Sequence, residues 1–246
     1  MKKAILLAGA LLAVSASLAS AAGLNLGWTN CGPVAGLANK TFACNSNTAT
    51  AHKLYGSYVA PAGTTAITGN EVVIDLQSSA TTLPAWWSLF TATSCRPASL
   101  SANFIDPGAS GDCIDYWQSQ ASGGVGAYNT NIVPGATNRA RILLVAAVAP
   151  ANAVPVDADA EYYSFTLQIG NQKTVGTGAC AGCTDPVCIV LNEIKLTQPA
   201  GVGDFRIQNP ANRNYVTWQN PNAAGGCPAA TPARNTTWGQ VKSLYR

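Results

Sequence analysis

The sequence predicts an all-β fold: a two-sheet antiparallel sandwich of the jelly-roll type with disulfide-stapled loops. Short runs rich in β-branched and aromatic residues recur along the chain, and Gly, Pro, Asn and Asp fill the intervals between them. Helical periodicity is almost absent, and the eight cysteines are an even number. Regularly spaced short strands with turn signals favour a sandwich over parallel βαβ units.

The N-terminal segment has the features of an export signal. Lys2 and Lys3 are followed by an apolar run over residues 4–14, and Ala19-Ser20-Ala21 then supplies the small residues of a cleavage site. The apolar run is well short of the roughly 20 residues that span a bilayer. We therefore expect residues 1–21 to be removed and residues 22–246 to form a single secreted domain, extracellular, at the cell surface or periplasmic.

Seven runs are predicted to be strands. Residues 162–169 alternate, with Tyr163, Phe165 and Leu167 on one face. Residues 139–148 alternate weakly and then become continuously apolar, which predicts a strand buried on both faces. The predicted strands are residues 55–60, 71–77, 139–148, 162–169, 187–196, 205–208 and 215–219.

Three further segments are predicted to lie outside the strands. Residues 83–90 favour a turn or a single helical coil, with Pro84 near its start. Residues 108–138 are predicted to be a long loop anchored by Cys113, and long ordered loops on β scaffolds often carry binding function. At the C-terminus, Trp238, Val241 and Leu244 are spaced for one face of a packed helix, with a docking tag as the alternative.

All eight cysteines lie after the signal segment and are predicted to form structural disulfides, because exported thiols oxidise. The expected pairs are Cys31 with Cys44, Cys95 with Cys113, Cys227 with one of Cys180, Cys183 and Cys188, and the remaining two with each other. Two other interpretations of the Cys180-Ala-Gly-Cys183 motif are a redox site and a zinc site. The redox interpretation lacks the thioredoxin-like βαβ context that it needs.

Charge and composition exclude some classes of function. Lys2 and Lys3 account for two of the 14 basic residues, so the rest of the chain sets 12 basic against 11 acidic residues. These charges are scattered, whereas nucleic-acid binding requires clustered Lys and Arg. No later apolar run reaches membrane length, so we expect neither a nucleic-acid partner nor a membrane-spanning segment.

Catalytic motifs are not evident. The single histidine, His52, has no Gly-x-Ser-x-Gly elbow to accompany it, and one imidazole cannot build a histidine zinc site. A glycosidase would need two carboxylates across a cleft, for which Asp112, Asp115 and Glu193 are candidates without a motif context. We expect no cofactor and no enzymatic activity.

Asp157, Asp159 and Glu161 alternate and would project from one face if the segment were extended. Converging carboxylates suit Ca²⁺, which makes this triplet a weak calcium candidate. The favoured alternative is a solvated strand edge whose charges discourage aggregation.

Aromatic residues in predicted loops are the candidate ligand-binding residues. Two adjacent tryptophans cannot easily both face one core, so at least one ring is expected to be partly exposed and able to stack on a sugar or a partner side chain. The favoured alternative is that these rings close the ends of the sandwich near Cys95 and Cys113. The candidates are Trp86, Trp87, Asp115, Tyr116 and Trp117.

The order of the central elements resembles the cohesin and carbohydrate-binding-module type of β-sandwich in secreted bacterial proteins. Residues 69–76 are similar to an early cohesin strand, and residues 162–169 and 187–196 look like the paired closing strands. The likeness covers about half of the chain and departs from cohesins in the cysteines and the double Trp. It implies a non-catalytic module that binds a protein or a polysaccharide.

We therefore expect a secreted binding or adhesion module for a polysaccharide or a surface protein. The alternative is a structural subunit of an extracellular or cell-surface assembly, and a glycosidase is the lesser alternative. The sequence does not decide the oligomeric state.

Overall fold

The computed structural model describes residues 22–32, 36–105, 113–130, 132–219 and 227. Within them, helix is confined to two single turns of 3-10 helix, Ala85–Trp87 and Pro150–Asn152. The strands are β1 (Gly23–Trp28), β2 (Asn39–Lys40), β3 (His52–Val59), β4 (Gly69–Ser78), β5 (Leu100–Asn103), β6 (Ser122–Thr130), β7 (Arg139–Ala147), β8 (Glu161–Ile169), β9 (Val187–Thr197), β10 (Phe205–Ile207) and β11 (Tyr215–Trp218). No helix in these ranges is long and apolar enough to cross a membrane.

The strands form two sheets. The four-stranded sheet has the order β1-β3-β8-β5, and the seven-stranded sheet has the order β2-β11-β9-β4-β7-β6, with β10 also paired to β9. Strands pair antiparallel throughout, except that β2 runs parallel to β11. The predicted two-sheet antiparallel sandwich is confirmed.

One hydrophobic core fills the space between the sheets. The four-stranded sheet contributes Leu54 and Phe165, and the seven-stranded sheet contributes Ile74 and Ile142, all fully buried. Burying such a side chain contributes about 1.5–3 kcal/mol, so the β-branched and aromatic runs that predicted the strands also supply the stabilising contacts.

β9 contains a bulge, and core-facing side chains lie on both sides of it. In the pairing with β4, Val73 lies opposite Glu193 and Ile74 lies opposite Leu191, so Asn192 is the extra residue. Among the buried residues that belong to the main core, Ile189 and Leu191 lie before it, and Ile194 and Leu196 lie after it. Without the extra residue, strict alternation would turn the last two towards solvent.

All seven predicted runs are strands, but four strands were not predicted: β1, β2, β5 and β6. The predicted long loop over residues 108–138 is wrong in part, because it contains β6. The three glycines of Ser122–Thr130 hid this strand, since glycine is depleted in strands. The prediction that residues 139–148 are buried on both faces is also wrong, because Val145 is 46% exposed.

Four disulfides join distant parts of the chain. Bonding of all eight cysteines is as predicted, and Cys227 pairs with Cys188 of the predicted group. The expected local pairs are wrong: the bonds are Cys31–Cys113, Cys44–Cys183 and Cys95–Cys180. The two cysteines of the Cys180-Ala-Gly-Cys183 motif therefore tether one turn to two separate loops.

Candidate functional site

The adjacent tryptophans form part of the core. Trp86 and Trp87 lie on the first 3-10 turn, and both side chains are 0% exposed. Trp86 donates from Nε1 to Thr174 Oγ1 at 3.0 Å, and its ring lies 4.8 Å from that of Trp218. The expected partial exposure of one ring is wrong, because the two rings pack on each other and Trp87 also packs on Trp218, with centroids 5.1 and 5.3 Å apart.

Tyr116 and Trp117, in the segment before β6, also pack into the core. The Tyr116 hydroxyl accepts from the Ile67 amide at 2.6 Å, and Trp117 Nε1 donates to the Ser164 carbonyl at 2.9 Å. The half-buried Asp115 accepts from the Trp117 amide at 3.0 Å. Ligand binding by Trp86, Trp87, Asp115, Tyr116 and Trp117 stays a prediction, and the buried rings offer no open stacking face.

Sequence reasoning missed a buried cation beside the double tryptophan. The Arg96 guanidinium is 1% exposed and lies over the Trp86 ring, with 3.5 Å between Cζ and the ring centroid. It donates to the carbonyls of Trp86 (2.7 Å), Gln172 (2.8 Å) and Gly170. Burial lowers the pKa of Arg96 to about 9, so the group is still charged at neutral pH and serves to fasten three loops.

The candidate calcium ligands do not converge. Asp157 lies in a turn, where its carboxylate accepts from the Asp159 amide at 2.9 Å, so the extended geometry assumed for the triplet is wrong. Glu161 instead accepts from Asn25 Nδ2 at 2.9 Å, and burial raises the pKa of its carboxyl group. Within the described ranges, no three His, Cys, Asp or Glu side chains are grouped to hold a metal ion.

The carboxylates considered for glycoside hydrolysis are separated. Asp115 follows Ile114, which bridges to the four-stranded sheet, whereas Glu193 lies on the seven-stranded sheet in an ion pair with Arg206. Asp112 lies outside the described residues. His52 opens β3 and is half-buried beside Phe42, with its Nε2 at 2.8 Å from Asn171 Oδ1; burial lowers its pKa.

The edges of the two sheets differ in how well they are protected. Main-chain bonds to residues 209–213 cover the edge of β1, including one of 2.9 Å from the Leu24 amide to the Asn209 carbonyl. The edge strands β2 and β5 are two and four residues long. Native proteins usually shorten, cover or charge such edges, because unpaired backbone groups attract other strands.

The edge strand β6 is less protected, although β5 of the other sheet lies close to part of it. It is nine residues long, contains neither a charged residue nor a proline, and pairs only with β7 among the described strands. Its one irregularity is a bulge at Gly126, between Val125 and Ala127. A groove of about 330 Å³ opens at its start, where Ser122, Glu71 and Val145 are among the lining residues. This edge is the candidate functional site.

Comparisons with known proteins identify a fold-level likeness only. No family model and no curated protein matches the chain. Among solved structures, a cohesin module of a family 33 glycoside hydrolase from Clostridium perfringens is similar at 8% identity and a TM-score of 0.31, over 77% of this chain and 96% of the module. The second type II cohesin module of the ScaA scaffoldin of Acetivibrio cellulolyticus has 10% identity and a TM-score of 0.34, over 82% of this chain and 98% of that one. At these scores the likeness carries no argument about function.

Proposed function

We propose that the chain is an exported, non-catalytic protein-binding module whose partner adds an extended strand to β6. The observation that carries this proposal is the contrast between β6 and the short or covered edges elsewhere in the described sheets. In strand addition, the partner's main chain bonds to the unpaired edge, and this gives affinity without a deep pocket.

The disulfides support export. Four bridges that join distant segments form and persist in an oxidising compartment and are rare in a reducing cytosol. The signal-peptide prediction for residues 1–21 agrees with this but lies outside the described residues.

The surface favours a protein over a polysaccharide as partner. Sugar recognition commonly uses an open aromatic face, and every Trp, Tyr and Phe side chain in the described ranges is buried or half-buried. A flat edge with small side chains suits an extended peptide instead. Polysaccharide binding therefore ranks below protein binding in this proposal.

The test uses linear peptides selected from a displayed random library on the oxidised protein. Gly124→Lys adds a charge to the edge, and a Cβ at Gly124 would meet no heavy atom within 4 Å, so the fold should tolerate it. The matched control is Ala151→Lys, at an exposed position on the second 3-10 turn. We expect Gly124→Lys to weaken peptide binding at least about tenfold, since one lost anchor of 1.4 kcal/mol has that effect, and the control to leave it unchanged.

Hydrogen exchange then locates the bound peptide. Protection should appear at the amides of residues 122–130. Equal affinity for both lysine variants, or protection confined to another part of the chain, would refute strand addition at β6.

A second candidate is assembly of copies of this chain, favoured by the antiparallel edge itself. Two β6 strands related by a two-fold axis would join two seven-stranded sheets into one, a self-complementary contact. Sedimentation equilibrium discriminates: a monomer at every concentration rejects this candidate, and a dimer abolished by Gly124→Lys supports it.

A further inference from the structure

The edge strand β6 adjoins an apolar strip on the outer face of the seven-stranded sheet. Val73 of β4 lies opposite Leu143 of β7, and Val145 follows two residues later on the same face. Val145 is 46% exposed, and the other two are half-buried. Contiguous exposed apolar surface commonly marks an interaction site.

The residues of β6 beside this strip carry almost no side chain. Gly124 lies opposite Val145 and Ala127 opposite Leu143, with the bulge residue Gly126 between them. A Cβ at Gly124 would meet no heavy atom within 4 Å, and one at Gly126 would lie 3.8 Å from Val145 Cγ2. A side chain from an added strand can therefore extend over the outer face of β6 to Val145.

The inner face of β6 has less room. Tyr128 is 7% exposed, and Val125 packs against the core. β5 of the other sheet also lies close to part of the strand. Since an added strand alternates its side chains between the two faces, the outer face is the one that can accept a large residue.

The groove at the start of β6 continues this open surface across the sheet. Ala147 of β7 is paired with Ser122 of β6 on one side and with Gly69 of β4 on the other, and all three residues are small. They line the groove of about 330 Å³ together with Val145 and Glu71. A ring that packs on Val145 can extend into this space.

The charged side chains that border the strip lie in ion pairs. Glu71 accepts from Lys195 Nζ at 2.9 Å, and Asp75 accepts from Arg141 Nε at 2.7 Å. A charged side chain moved onto the strip would lose its hydration and would have to compete for these partners. The strip therefore suits an uncharged, apolar side chain.

We propose that the strand added to β6 carries an aromatic residue opposite Gly124, whose ring covers that glycine and packs on Val145. The side chain has to extend from the added strand towards β7, which is two strand spacings or about 10 Å away, so a large residue is needed. Aromatic residues bury the most apolar area, and they are used in sheets to cover glycines at an edge. This inference rests on the proposed function and adds the chemistry of the partner.

The probes are the linear peptides selected from the displayed random library on the oxidised protein. Gly124→Leu supplies an apolar side chain beside Val145 from the protein itself and keeps the edge uncharged, and Ala151→Leu is the matched control at an exposed position. We expect Phe, Tyr and Trp to be enriched at one position of the peptides selected on the wild type. Replacing that residue by Ala should weaken binding about tenfold in the wild type and the control, corresponding to 1.4 kcal/mol, and less than about twofold in Gly124→Leu.

Methyl NMR then locates the ring. The ring current of a bound aromatic peptide should shift the Val145 methyl resonances upfield and leave those of Val202, a turn residue that is 48% exposed, unchanged. The same peptide with Leu in place of the aromatic residue should give no such shift.

The outcomes separate this inference from the proposed function. Three results would overturn the inference and leave strand addition standing, provided that the peptides protect the amides of residues 122–130. They are the absence of an aromatic preference, an equal preference on Gly124→Leu, and the absence of an upfield shift at Val145. Peptides that give no protection at this edge would refute the proposed function, and this inference with it.

Discussion

At the scale of single residues, the contact between Gly56 and Phe165 shows how tightly the four-stranded sheet is packed. Gly56 lies opposite Phe165 in the β3–β8 register, and a Cβ there would stand 2.2 Å from Phe165 Cε1. The ring itself is fully buried and cannot move aside into solvent. Glycine is needed here for a close approach, although glycine is otherwise unfavourable within a strand.

Gly56→Ala should therefore destabilise the protein by about 1–3 kcal/mol through overpacking. Gly124→Ala is the matched control in an open position on β6, where the change should stay within about 0.5 kcal/mol. Urea unfolding of the oxidised proteins measures both. Equal midpoints for the two variants would show that the Phe165 ring can relocate without cost.

Residue identity alone did not place the aromatic side chains. The pair Trp86-Trp87 suggested exposure because two neighbours on a strand face opposite ways, but both rings are enclosed by residues from other segments, among them Trp218. Arg96 gave no signal, because the carbonyls that hold it belong to residues far apart in sequence. Contacts of this kind depend on how loops meet, which local patterns do not encode.

At the scale of elements, the bulge at Asn192 determines which side chains of β9 face the core. Deleting Asn192 should shift the register and turn Ile194 and Leu196 outward, or force the bulge to reform at a neighbouring residue. Exposing two such side chains costs about 3–6 kcal/mol, so we expect little or no folded protein.

Deleting Gly126 is the matched control, since it removes a bulge from the edge strand β6. Tyr128 is the one buried residue of that strand, so the expected cost is smaller. Soluble yield and near-ultraviolet circular dichroism report both deletions. Similar folding of both proteins would contradict the role given to Asn192.

Strands were predictable from sequence in proportion to their β-branched and aromatic content. β4, β8 and β9 contain continuous runs of such residues and were found within a few positions. β6 was not, because glycine carries no side-chain pattern, and the candidate functional edge was missed with it. The unprotected character of that edge is visible only once its neighbours in the sheet are known.

At the scale of the whole molecule, the disulfides link segments that are distant in sequence and adjacent in the fold. The separations are 82, 139, 85 and 39 residues, whereas the sequence had suggested local pairs. Eight cysteines allow 105 pairings, and only the assembled sheets bring the correct partners within reach.

Removing long bridges should cost more than removing the shorter one. In the chain-entropy model, the 139-residue separation of Cys44 and Cys183 corresponds to about 5 kcal/mol, and the 39-residue separation of Cys188 and Cys227 to about 4 kcal/mol. We expect Cys44→Ser/Cys183→Ser to lower the free energy of unfolding by about 1 kcal/mol more than Cys188→Ser/Cys227→Ser. Chemical unfolding at equilibrium measures the difference, and the reverse order would show that native-state strain dominates.

These pairings make non-native disulfides a hazard when the chain is exported N-terminus first, because early cysteines must wait for late partners. Cys31 and Cys44 enter the oxidising compartment together, while Cys113 and Cys183 are still to follow. The short loop between the first two closes more readily than the long native ones, so we expect oxidation of an exported chain to join Cys31 to Cys44 before the native partners are available. Reaching the native form would then require thiol–disulfide exchange, and we expect the yield of native protein in an expression host to follow its supply of disulfide isomerase rather than of oxidase.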